Sequence, residues 1–146
     1  FETTAIVPFR FPTIFETEKQ VEEHMQQRSS EYVGLLDRFA DSVQMEIRIS
    51  SDAPSRPAQS GTEYLNVRKR SIQEAERLAA DMRQKLEPLS NEWRQRVARN
   101  ELRAFVLIPR NKTEQFEKTA VAIAVPEGLN ARVSGPWPVG EFIEQG

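Results

Sequence analysis

At 146 residues, with 38% hydrophobic and 29% charged side chains and a formal net charge of −2, the chain has the size and composition of one folded domain rather than a disordered segment. It has no cysteine and one histidine, which excludes a disulfide framework and a thiolate metal site. Its longest apolar runs, Ala104 to Pro109 and Ala120 to Pro126, fall far short of the roughly 20 residues that span a bilayer.

The charge is unevenly placed. Residues 1–63 hold 6 basic and 11 acidic side chains, residues 64–110 hold 11 and 6, and the remainder holds 3 and 5. In the basic middle segment Glu74, Glu76, Asp81, Glu87 and Glu92 are interspersed, the pattern of a solvated, salt-bridged helix surface. An acidic partner is the alternative, and no nucleic-acid motif is present. The missing cysteines and the lack of a signal-like leader fit a cytoplasmic location, and a start at Phe1 fits a trimmed fragment.

In chain order, Thr3 to Val7 is β-branched and predicts a first strand, ended by Pro8. Thr17, with Gln20 three residues on, predicts a capped helix reaching Ala40, with Val21, Met25, Tyr32, Leu35, Leu36 and Phe39 on its apolar face. Val43, Met45, Ile47 and Ile49 alternate with Gln44, Glu46, Arg48 and Ser50, which predicts a strand with one wet face, at or near a sheet edge. Ser50 to Thr62 reads as a surface loop. Leu65, Ile72, Ala75, Ala79, Met82 and Leu86 then predict a helix halted by Pro88, followed by a short helix capped by Ser90 and carrying Trp93 and Val97. Leu102 to Ile108 is a nearly continuous apolar run, suited to a central strand. Thr113 is the expected cap of a last helix with Phe116, Ala120 and Ile123, broken by Pro126, and Asn130 to Ser134 closes the chain as a strand. Together these elements predict an α+β fold: a modified ferredoxin-like split β-α-β sheet, with the first and third strands central and a helical insertion between strands two and three.

The inventory for chemistry is thin. His24 cannot build a zinc site alone, no Gly-x-Ser-x-Gly elbow accompanies it, and the six glycines never cluster into a phosphate-binding turn. Carboxylate pairs such as Glu22-Glu23 stand on exposed helix positions without the desolvation that tunes a general acid or base. No cofactor and no catalytic residue is expected. Three features remain. Pro8 to Phe15 carries three aromatic rings and Arg10, and reads as a plug at the end of the core or as a contact patch. Arg68 interrupts the apolar stripe of its helix and is expected in a buried ion pair. Gly135-Pro136-Trp137-Pro138 presents an indole from a stiff segment, in which both Gly135 and Trp137 are expected to be extended by the prolines that follow them. That tryptophan serves either as a recognition anchor or as a plug over the last strand.

Four landmarks in order carry a resemblance: Pro8-Phe9-Arg10-Phe11 with Thr13 and Phe15; Tyr64-Leu65 with Arg68-Lys69; Ala104 to Arg110; and Ser134 to Pro138 with Phe142. In these the chain resembles the gas vesicle synthesis proteins of the GvpF/GvpL family over almost its whole length. Val139 and Gly140 stand where the family tail usually has proline and tyrosine, and Pro12 where it often has glycine. The resemblance implies a single domain over 1–146 matching the family's C-terminal, modified ferredoxin-like domain, with the N-terminal domain absent. It also implies a non-catalytic accessory role in building gas vesicles, in contact with the small hydrophobic major shell protein and other accessory proteins. Neither nucleic acid nor membrane is expected as a partner, and the expected location is cytoplasmic and gas vesicle associated. The candidate partner-binding residues are Arg10, Phe11, Arg68, Lys69, Arg70, Arg110, Trp137 and Phe142. The alternative function is a ferredoxin-like sensory domain binding a small anion near Arg10, Arg68 and Arg110.

Overall fold

The computed structural model describes residues 4–9, 12–51 and 60–143. Helix α1 spans Glu18–Arg38. It starts close to the capping pattern: the Thr17 hydroxyl accepts from the Gln20 N–H at 3.3 Å, and the Gln20 side chain reaches back one residue past the cap to accept from the Glu16 N–H at 2.8 Å. Strand β1 follows at Ser42–Ser51, then α2 at Gly61–Leu86, whose cap is Ser60, accepting from the Glu63 N–H at 3.1 Å. After a one-turn helix at Glu87–Leu89 come β2 (Glu92–Ala98) and β3 (Glu101–Pro109), then α3 (Thr113–Val121) and β4 (Leu129–Trp137).

The strands form one sheet in the order β2-β3-β1-β4, every neighbouring pair antiparallel. One face carries Val43, Met45, Ile47 and Ile49 from β1 beside Leu102, Ala104, Val106 and Ile108 from β3, all buried. Helices α2 and α3 lie over this face through Ala75, Leu78, Ala79, Met82 and Leu86, and through Phe116 and Ala120. Removing a side chain such as Met82 or Leu86 from water contributes about 1.5–3 kcal/mol. This layer is therefore the main core.

Several expectations need correction. Thr4 to Val7 joins no ladder, and Thr3 lies outside the described residues. A β-branched run shows fitness for a pleated surface rather than a pairing partner, and the central place such a strand would take is occupied by β1. The alternating strand expected at an edge is thus central. Its polar side chains Gln44 and Glu46 are 7% and 6% exposed while Arg48 stays exposed, so the face that read as wet is covered at one end only. The short helix expected around Trp93 and Val97 is strand β2; residues four apart share one face in a helix and in a strand alike. The hairpin behind it turns on Arg99, at φ 58°, and Asn100, without the Asn-Gly or Asp-Gly pair that announces such turns. The helical insertion between strands is accordingly α2 alone, crossing from β1 to β2.

Helix α1 also departs from its forecast, since none of its residues is buried. Phe39, just past its end, enters a core with Leu35 packed half-buried against it, while Met25, Val33 and Leu36 stay exposed. Two rings before α1 lie on that helix instead: Phe9 and Phe15 meet edge-on at 5.9 Å, and both contact His24, whose Nε2 is 2.7 Å from the Tyr32 hydroxyl. Phe9 and Phe15 thus cover a helix and not the end of the sheet, and Phe11 lies outside the described residues. At α3, Thr113 is the first helical residue and donates its hydroxyl to the Arg110 carbonyl at 2.8 Å rather than capping. The helix ends at Val121, well before Pro126.

Replacing Ile47, fully buried on β1, with alanine is expected to cost about 2–5 kcal/mol in denaturant unfolding. Leu36→Ala on α1 should cost less than about 0.5 kcal/mol. Equal losses would place the α1 stripe in the core after all.

Candidate functional site

The C-terminal landmark is built by a bulge in β4. Glu46 pairs with Ser134, but Gln44 pairs with Trp137, so β4 carries one extra residue against β1. Gly135 sits there at φ 130°, a conformation side chains disfavour, so it is not in the ordinary extended state expected from sequence. A Cβ at this position would stand 2.9 Å from the Met45 sulfur and 3.0 Å from the Gln44 carbonyl. The Gly135–Pro136 peptide is cis. Trp137 emerges 47% exposed, its indole N–H donating to the Ser134 hydroxyl at 3.4 Å.

Beyond it the chain folds back over the second face of the sheet. Val139, Phe142 and Ile143 form a smaller core with Phe39, Phe105 and Leu107, against which Val7 and Leu35 pack. Candidate Phe142 is therefore fully buried, with the Arg94 guanidinium 5.1 Å above its ring, and is a packing residue rather than a contact. Polar stitches hold the tail down. The Glu141 N–H donates to the Gln44 side chain at 3.0 Å, Arg94 donates to the Glu141 carbonyl at 2.9 Å, and Arg96 forks onto the Glu141 carboxylate at 2.9 and 3.0 Å.

Arg110 and Trp137 do come together, lining one crevice with Thr4 to Val7, Phe39 and Val139. Arg110 is engaged there: its guanidinium donates to the Ala40 carbonyl at 3.3 Å, and its backbone N–H to the Asp41 carbonyl at 2.7 Å. Arg68, Lys69 and Arg70 lie elsewhere, on the first half of α2, where Tyr64, Leu65 and Val67 are all more than half exposed. Arg68 donates to the Arg99 carbonyl at 2.8 Å and has no carboxylate partner among the described residues, so the buried ion pair expected for it is not formed. Arg99 and Arg110 flank opposite ends of the nine-residue β3, about 30 Å apart at the rise of a strand. The structure does not gather Arg68 and Arg110 around one anion. Arg10 and Phe11 lie outside the described residues.

Sequence reasoning missed the polar half of the sheet. Glu46, its side chain 8% exposed, accepts on one oxygen from Arg48 Nε at 2.8 Å and from Arg103 Nε at 2.6 Å. Burial alone would raise its pKa, but the hydrogen bonds from Arg48 and Arg103 outweigh it and hold the carboxyl below its usual range. The period-two alternation of Glu46 and Arg48, and of Arg94 and Arg96, was the available signal. Among the described residues no cluster of histidine, aspartate and glutamate could hold a metal ion, and no helix is long and apolar enough to cross a membrane.

The family model described as gas vesicle synthesis protein GvpL/GvpF matches residues 1–144. The chain belongs to this family. Among solved structures it is similar to the gas vesicle protein GvpF from Anabaena, with a TM-score of 0.70 and 16% identity over 95% of this chain and 66% of that one. It is likewise similar to GvpF from Microcystis aeruginosa, with a TM-score of 0.66 and 16% identity over 92% and 68%. The chain thus spans about two thirds of the length of these GvpL/GvpF structures, whose likeness at this identity is one of fold. No curated protein matches it.

Two substitutions test the local chemistry. Glu46→Gln should lower stability at neutral pH by about 1.5–3 kcal/mol, the range for hydrogen bonds to charged groups. Because the folded pKa is depressed, the carboxylate's contribution is present above its unfolded value of about 4.3 and is lost as pH falls through the lower folded value. The variant should therefore show a shallower acid limb in pH-dependent unfolding, and an unchanged limb would show the pairing to be inconsequential. Gly135→Ala should cost about 1–3 kcal/mol from backbone strain, with crowding of Met45 adding to it.

Proposed function

We propose that this domain is a non-catalytic accessory factor in gas vesicle assembly and contacts the small hydrophobic major shell protein, alongside other accessory proteins. The observation that carries the reading is the family match over residues 1–144. Two surfaces favour protein contact. The first half of α2 exposes Tyr64, Leu65 and Val67 next to Arg68, Lys69 and Arg70, none of them needed by the core. At the far end of the sheet, Trp137 and Ile6 are each close to half exposed around the Arg110 crevice. Exposed apolar groups framed by cations suit an apolar partner with an acidic rim. The interleaving of β1-α2-β2 with β3-α3-β4 favours a modified ferredoxin-like classification. The proposed site of action is the cytoplasm, in association with gas vesicles.

Capture of purified shell protein by the immobilised domain is the direct test. Leu65→Glu and Trp137→Ala are expected to reduce capture while leaving the melting temperature within a degree or two of the parent. Loss of stability without loss of capture for Trp137→Ala would make that indole a plug. If neither the domain nor a longer form carrying it binds shell protein, and its deletion leaves vesicles intact, the reading is wrong.

A further inference from the structure

The strand register places four arginines in one line across the open face of the sheet. Arg96 on β2 lies opposite Arg103 on β3, Arg103 opposite Arg48 on β1, and Arg48 opposite Arg132 on β4. At the spacing of neighbouring strands the row is about 14 Å long. Like charges directly opposite one another destabilise a sheet, and here three such pairs stand side by side. Intramolecular carboxylates relieve only part of this. Glu141 holds Arg96, and Glu46 is shared by Arg103 and Arg48. Arg48 uses its Nε for Glu46, feels the nearby Glu101 carboxylate, and has a side chain that is still 45% exposed. Arg132 is exposed and has no hydrogen bond or ion pair among the described residues. The adjacent row is Ala98, Glu101, Ser50 and Asn130; Glu101 adds a third carboxylate near Arg48, whereas the β4 end of the row, at Arg132 and Asn130, carries no acidic side chain.

We propose that this row is a docking site for an acidic polypeptide segment, whose carboxylates complete the Arg48 and Arg132 forks. Planar guanidinium groups with free paired donors match carboxylate geometry, and a row about 14 Å long holds several carboxylates rather than one small ion. Single-stranded nucleic acid would need rings on which to stack its bases. Of the rings near the row, Phe105 and Phe142 are 3% and 0% exposed, Phe105 is roofed by the guanidinium groups of Arg96 and Arg103 at 4.7 and 5.3 Å, and Trp137, bonded to Ser134, leaves one half-exposed ring where a strand of bases would need a series. The inference stands on register and does not require the shell-protein contact.

Fluorescence anisotropy with a labelled octaglutamate peptide tests it on the whole chain at low salt. The peptide should bind, release as salt is raised, and lose about tenfold or more in affinity with Arg132→Glu. Arg132→Gln should lose less, and Arg77→Glu, an equal charge reversal on the exposed side of α2, should leave affinity unchanged. Arg132 has no side-chain hydrogen bond or ion pair among the described residues and stands opposite Arg48, so Arg132→Gln and Arg77→Glu should keep the parent melting curve and Arg132→Glu should match or exceed it. The proposal is overturned if the peptide fails to bind or if Arg77→Glu weakens it as much as Arg132→Glu. It is equally overturned if a labelled oligothymidylate binds more tightly than the peptide with the same dependence on Arg132.

Discussion

The carboxylate of Glu46, gripped by Arg48 and Arg103 in the middle of the sheet, is the interaction that lets the first half of β1 be covered on both faces. An unpaired buried carboxylate would be strongly unfavourable. With two guanidinium donors it can sit at 6% exposure, and the strand that carries it can send Val43, Met45, Ile47 and Ile49 into the helical layer on the other side. Both interleaved halves of the fold meet on this strand, since β3 pairs along one edge of β1 and β4 along the other.

The C-terminal landmark takes its shape from the same strand. The bulge at Gly135 brings the backbone of β4 close to Met45 and Gln44, after which the tail crosses the second face and buries Phe142 beside Phe105 and Leu107. Gln44 and Glu141 then join tail to sheet, and Arg96 closes onto Glu141. One end of that face is thereby sealed by an apolar cluster, whereas the other end remains a row of partly exposed arginines. Helix α1 and the segment lying on it take little part in either layer, being joined to the body chiefly through Phe39, Leu35 and Val7.

Much of this was legible in the sequence. The strands at Val43 to Ile49 and Leu102 to Ile108 were readable because burial imposes period two or a continuous apolar run, and Thr17 with Gln20 marked the start of α1. Strand β2 was not legible, because Trp93 and Val97 satisfy both periods and the Arg99-Asn100 turn carries no glycine. The central position of β1 was also hidden: alternation shows that one face is polar, but whether that face is wet depends on partners such as Arg103, 57 residues away. Among the candidate site residues, Lys69 and Arg70 belong to a segment readable as a solvated helix surface, whereas Arg68 read as buried and Trp137 as either an anchor or a plug. Phe142 was not identifiable as a core residue, since a phenylalanine in a short tail carries no periodicity. The arginine row exists only once the register of four strands is known.

The central claim is that stability is concentrated in β1 and its covered surfaces, with α1 an outlying arm. Native-state hydrogen exchange followed residue by residue tests this most directly. Amides from Val43 to Ile49 should exchange only through global unfolding, while those from Glu22 to Gly34 should exchange through much smaller openings. Protection of α1 equal to that of β1 would contradict the account.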